Sequence, residues 1–231
     1  MTETPSAHAF SAIGGAIQVS GGRVVSSLLV RPAGARLALV LAHGAGAGMR
    51  HTFIAAVSAR LAEHGVATFR FQFPYIEAGG HRPDPPGLLA DTVRAAVEAA
   101  VKALPDLPLI AGGKSLGGRM TSTAAAAAPL PGVRGLAFLG FPLHAPQRPA
   151  TKRAEHLAGV AVPMLFLQGT RDEFADLPLL EPVVRSLGPR ATLHIVAGAD
   201  HSFGVLRKSG RSDDDVLDEL ARVLSDWGAA L

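Results

Sequence analysis

The chain has 231 residues, 48% hydrophobic and 18% charged, with a mean hydropathy of +0.27. That balance predicts one globular domain over residues 1–231 with a sizeable core and excludes a disordered chain. A formal charge of +3 without any basic tract argues against a nucleic-acid partner, and the lack of cysteine removes disulfides, thiolate metal sites and a Cys nucleophile.

The first twenty residues carry no Lys or Arg and no continuous apolar body, so they do not read as a secretory leader. No apolar run approaches the roughly 18 residues of a membrane span, and the expectation is a cytoplasmic protein with no membrane partner. Ala16–Ser20 and Val24–Arg31 flank Gly21-Gly22, a pair suited to a tight turn with positive φ, which predicts an antiparallel hairpin at the start of a sheet. From Leu37 onward, short apolar runs alternate with longer amphipathic stretches, the signature of an α/β fold with buried parallel strands and crossover helices. The strands are expected at Leu37–Ala42, Val66–Phe71, Leu107–Ala111, Val133–Leu139, Val162–Leu167 and Ala191–Val196. Helices are expected at Thr52–Glu63, Leu88–Leu104, Leu116–Ala128, Leu179–Leu187 and Asp214–Trp227. The fold class is therefore a mostly parallel central sheet with an antiparallel N-terminal edge and helices on both faces. Two Pro/Gly-rich loops, 72–87 and 141–150, are too short for a cap domain.

Gly113-Lys114-Ser115-Leu116-Gly117 leaves an apolar strand and opens a helix. In a chain with 26 glycines the pentapeptide alone is weak, but this strand–turn–helix setting is the one a G-x-S-x-G nucleophile elbow needs. A serine on so tight a turn takes strained backbone angles, and the flanking glycines let strand and helix approach. Serine also needs a base, and an imidazole base needs an acid to fix its tautomer. Asp172 follows one apolar strand through Gln168-Gly169-Thr170-Arg171, and His201 follows the next through Ala197-Gly198-Ala199-Asp200. Parallel strands put both on the rim that bears Ser115. Glu173, Asp176 and Asp200 are the rival acids; His194 is expected to point from a strand, and His8, His64 and His156 to be exposed.

The glycine-rich stretch 43–48 follows the first parallel strand, where a backbone donor for an oxyanion is expected. Ala45 would supply one N–H and Leu116 the other, with His43 bracing the loop. The stretch fails G-x-G-x-x-G at its last glycine, where Met49 stands, which argues against a dinucleotide site. Gly-Lys-Ser at 113–115 also ends phosphate-binding loops, yet Pro108 occupies the position of the first required glycine. No H-E-x-x-H or comparable cluster suggests a metal site. Lys114 and Arg119 have two readings, recognition of an anionic substrate or structural ion pairing beneath the elbow; the second is favoured because a residue just before the nucleophile commonly points below the turn, so loss of Lys114 should lower stability more than it alters substrate preference.

With Ser115, Asp172, His201 and the His43-Gly44 strand end in place, the chain resembles the α/β-hydrolase superfamily along nearly its whole length. The stretches His-Gly-Ala-Gly-Ala-Gly (43–48), Arg-Phe-Gln-Phe-Pro-Tyr (70–75), Gly-Gly-Lys-Ser-Leu-Gly-Gly-Arg (112–119), Phe-Pro-Leu-His (141–144) and Gly-Thr-Arg-Asp (169–172) are similar to a compact dienelactone-hydrolase-like branch. That branch also holds the hydrolase-like domain of a chromatin acetyltransferase-complex subunit. The resemblance implies a Ser–His–Asp mechanism with no cofactor. Dienelactone hydrolases proper use a cysteine nucleophile, which this chain lacks, so dienelactone ring-opening is set aside.

The sequence thus predicts a serine hydrolase of small to medium carboxylic esters, with a shallow site walled by Tyr75, Ile76, Phe141, Leu143 and His144. Thioesters and short polyester oligomers would use the same groups, and a non-catalytic interaction module on the same fold is the alternative of another class.

Overall fold

The computed structural model describes residues 10–231; His8 lies outside them. Eight strands form one sheet: β1 (Ala12–Val19), β2 (Arg23–Val30), β3 (Leu37–Ala42), β4 (Val66–Phe71), β5 (Leu109–Lys114), β6 (Val133–Leu139), β7 (Met164–Arg171) and β8 (Ala191–Asp200). Their order across the sheet is β1-β2-β4-β3-β5-β6-β7-β8. β2 pairs antiparallel with both β1 and β4, and every other pairing is parallel. Among the described residues six α-helices accompany them: α1 (Thr52–Glu63), α2 (Pro74–Glu77), α3 (Pro86–Ala103), α4 (Leu116–Ala127), α5 (Leu177–Ser186) and α6 (Asp213–Ala229).

The strands are buried on both faces because their side chains alternate between two cores. In β3, Leu37, Leu39 and Leu41 pack with Ile54, Val57 and Leu61 of α1 and with Leu220 and Leu224 of α6. Ala38, Val40 and Ala42 face the opposite core, built with Val93 and Val97 of α3, Met120 of α4 and Leu180 of α5. A one-residue slip would exchange the two sets, so the register is strongly specified.

The hairpin runs longer than expected, and its connection is Ser20–Gly22, one residue more than the glycine pair. β5 continues past Ala111 through two glycines to Lys114, because Ala42 of β3 pairs with Gly113 and Leu139 of β6 pairs with Lys114. β7 and β8 likewise run beyond Leu167 and Val196. Within the loop 72–87 the chain forms the short α2, and after the loop 141–150 it forms a 3-10 stretch at Lys152–Gly159. His64 and His156 are partly buried rather than exposed, His156 sharing a 2.8 Å hydrogen bond with Ser122. His194 does project from β8 and meets Glu219 of α6 at 2.7 Å.

Candidate active site

Ser115 stands between β5 and α4 with φ 50° and ψ −116°, a positive-φ conformation that a side chain enters only under constraint. The constraint is visible on both sides. A Cβ on Gly113 would run into the Ala42 carbonyl, and one on Gly117 would sit 2.6 Å from the carbonyl oxygens of Ala42 and His43. Glycine at both places lets β5 and α4 close against β3. The Ser115 N–H donates to the Leu139 carbonyl at 3.1 Å, fixing the turn to β6.

The turns after β7 and β8 bring the other two groups to the same edge. His201 Nε2 lies 2.9 Å from Ser115 Oγ, and His201 Nδ1 lies 2.8 Å from each carboxylate oxygen of Asp172. With Nδ1–H donating to Asp172, Nε2 is left as the acceptor for the serine hydroxyl. Asp172 is buried and also accepts the Phe174 N–H at 2.8 Å and Gln168 Nε2 at 2.6 Å. Gln168 accepts in turn from the Phe141 N–H at 2.9 Å, tying the carboxylate to the loop after β6. Of the rival acids, Asp200 accepts the N–H groups of Ser202 and Gly204 in its own turn, and Asp176 lies 3.6 Å from His144.

The loop after β3 comes against the serine: a Cβ on Gly44 would lie 3.8 Å from Ser115 Cβ. Neither the Ala45 nor the Leu116 N–H has a hydrogen-bond acceptor among the described residues. The loop is held by residues at and after the end of β4. The Phe73 N–H donates to His43 Nε2 at 3.1 Å, so His43 carries its proton on Nδ1 and donates to the Gly44 carbonyl at 2.8 Å. Full burial pushes the His43 pKa down to about 4 and keeps the ring neutral. The Tyr75 hydroxyl accepts the Gly46 N–H at 3.3 Å, Gln72 accepts the Met49 N–H at 2.8 Å, and Arg70 donates to the Met49 carbonyl at 3.1 Å.

A cavity of about 300 Å³ opens over Ser115 and His201, lined also by Gly44, Ala45, Ala47, His51, Phe53, Ile54, Lys114, Phe174 and Ser202. None of the five expected wall residues lines it. Phe141 and Leu143 are fully buried in the core, Phe141 packing edge-on to Phe138 and Phe166. His144 is buried and accepts the Asp176 N–H at 2.9 Å, a structural bond. Tyr75 is buried beneath the glycine loop, and Ile76 packs on the core beside Gly48. The walls come instead from the start of α1 and from Phe174, whose ring centroid is 4.3 Å from that of His201. Sequence reasoning missed Phe53, Phe174 and Gln168; the only advance signal was a glutamine ending the apolar run of β7.

Residues 35–229 match the family described as alpha/beta hydrolase domain. The chain belongs to that family. Solved structures agree on the α/β-hydrolase fold. A dienelactone hydrolase from Anabaena variabilis is 23% identical with a TM-score of 0.74, covering 96% of this chain and 99% of that one. An α/β serine hydrolase without lid from Xanthomonas campestris is 19% identical with a TM-score of 0.72, covering 98% of each chain. The esterase domain of a Rhodothermus marinus protein is 18% identical with a TM-score of 0.68, covering 94% of this chain and 97% of that one.

Among the described residues no group of three or more His, Asp or Glu side chains is arranged to hold a metal ion. The expected ion pairs of Lys114 and Arg119 do not form among the described residues: Lys114 Nζ and Arg119 Nε are both buried without a hydrogen-bond partner. The carboxylates nearest Lys114 are engaged elsewhere, Asp172 by His201 and Asp200 by its own turn.

Proposed function

We propose that the protein is a serine hydrolase that cleaves carboxylic esters of small to medium acyl groups through an acyl-enzyme. Ser115 Oγ attacks the ester carbonyl while His201 Nε2 takes its proton. Asp172 holds the imidazole in the required tautomer and stabilises its cation. The oxyanion of the tetrahedral intermediate is received by the Ala45 and Leu116 N–H groups. Collapse expels the alkoxide, which takes the proton back from His201; a water then attacks the acyl carbon as His201 takes its proton, and on collapse of this second intermediate the acid leaves while His201 returns the proton to Ser115 Oγ.

The observation that carries this reading is the unbroken chain from Ser115 Oγ to His201 at 2.9 Å and on to Asp172 at 2.8 Å, with the serine in a strained turn. A module used only for binding has no physical reason to hold a serine in that conformation. The cavity of about 300 Å³ favours short acyl chains. Hydrolysis of p-nitrophenyl esters from two to sixteen carbons tests the proposal. The expected result is activity that falls with chain length and vanishes in Ser115→Ala; activity rising toward the long esters would overturn the assignment of acyl size.

A further inference from the structure

Lys114 is the last residue of β5 and borders the cavity, and its Nζ is buried with no hydrogen-bond partner among the described residues. Its surroundings are two aromatic faces and the back of the Ser–His–Asp array. Nζ lies 5.5 Å from the Phe203 ring centroid and 6.0 Å from that of Phe53, distances at which a ring face attracts a cation. The two rings stack on each other at 5.6 Å. Phe203 holds this place at φ 66°, a strained angle for a bulky residue. Gly140 marks the other side. A Cβ there would stand 3.1 Å from Lys114 Nζ, 3.3 Å from Asp172 Oδ2 and 3.5 Å from His201 Nδ1, so the three atoms surround one point.

We propose that Lys114 is a positioning residue whose charge, held behind Asp172 and His201, keeps the carboxylate ionised and opposes protonation of the imidazole. The effect extends the working range of the site toward acid pH. This inference takes its functional meaning from the hydrolase reading. Other charged or titratable groups face the same region: Asp172 from the end of β7, Asp200 from the end of β8, and His51 from the cap of α1, across the cavity. Both aspartates are bonded by other donors, which leaves Lys114 as the cation closest to the Asp172–His201 pair that has no partner of its own among the described residues. Burial lowers its own pKa to about 8, so at pH 7 the ammonium still carries its charge.

The test compares the parent with Lys114→Met and Lys114→Gln. Histidine ring nitrogens are followed by NMR through a pH titration, and the acid limb of kcat/KM is measured with p-nitrophenyl acetate. Loss of the cation should move both the His201 protonation midpoint and the acid limb upward by about one pH unit. If the midpoint moves but no ester is turned over, the hydrolase reading fails and the coupling stands. If esters are hydrolysed and neither quantity moves in either variant, Lys114 is merely structural and the inference is overturned. Should neither variant fold, the parent itself decides: the His201 resonances must show a second inflection as Lys114 loses its proton, and its absence would reject the coupling.

Discussion

His43 accepts the backbone N–H of Phe73 at 3.1 Å and so joins the end of β3 to the segment that follows β4. The bond exists only while the imidazole is neutral. Its folded-state pKa of about 4 lies below the ordinary 6.5, so its stabilising effect is complete above pH 6.5 and is lost as the pH falls through 4. The full difference is about 3 kcal/mol. Denaturant unfolding at pH 7 and pH 4.5 should show a steeper loss in the parent than in His43→Gln, whose amide does not titrate. Equal losses would mean that His43 is not the group concerned.

Tyr75 makes a related prediction from a different bond. Its ring is buried and its hydroxyl accepts the Gly46 N–H, so Tyr75→Phe keeps the packing and removes only the acceptor. The expected stability cost is about 1 kcal/mol. If the Gly46 bond aims the neighbouring Ala45 N–H at the oxyanion, kcat should fall several-fold with KM little changed. A pure KM effect would place Tyr75 at the substrate instead.

Much of this arrangement is legible in the sequence because it depends on strand ends. The apolar runs at 37–42, 66–71 and 133–139 delimit strands of the same extent, and parallel strands then bring Ser115, Asp172 and His201 to one edge. Gly112 and Gly113 hide the end of β5 from the sequence, since they belong to the strand through their pairing with β3 and β6 rather than through their own propensity. The cavity walls were not legible. Phe141 and Phe174 are both aromatic residues in loops beyond strand ends, yet one is sealed under the sheet edge and the other faces His201. Residue type does not distinguish them; only the path of each loop does.

That difference is itself testable. Phe174→Ala should enlarge the cavity and shift preference toward longer acyl esters, whereas Phe141→Ala should leave acyl preference unchanged and cost about 3–5 kcal/mol of stability. A Phe141 variant that is stable but altered in acyl preference would return that residue to the pocket.

Lys114 should cost stability rather than supply it. Its folded pKa of about 8 lies below the ordinary 10.5, so the penalty is full below pH 8 and fades as the pH rises toward 10.5. Lys114→Met is therefore expected to melt at a higher temperature than the parent at pH 7, with the gap narrowing at pH 10. A lower Tm at pH 7 would show that the ammonium contributes net stabilising contacts.

Asp172 and Asp200 separate the acid that orients His201 from the acid that shapes its turn. Asp172→Asn should reduce kcat by roughly 10³- to 10⁴-fold through the wrong imidazole tautomer. Asp200→Asn, which weakens the Ser202 and Gly204 contacts and leaves the Asp172–His201 bond in place, should act mainly on stability. Equal losses of kcat from both changes would contradict the assignment.

The most direct measurement is intact-protein and peptide mass spectrometry after exposure to a fluorophosphonate, on the parent, Ser115→Ala and His201→Ala. The account predicts a single adduct, carried by the peptide containing Ser115, absent from Ser115→Ala and strongly slowed in His201→Ala. An adduct elsewhere, or none on a correctly folded parent, would contradict the assignment of Ser115 as an activated nucleophile.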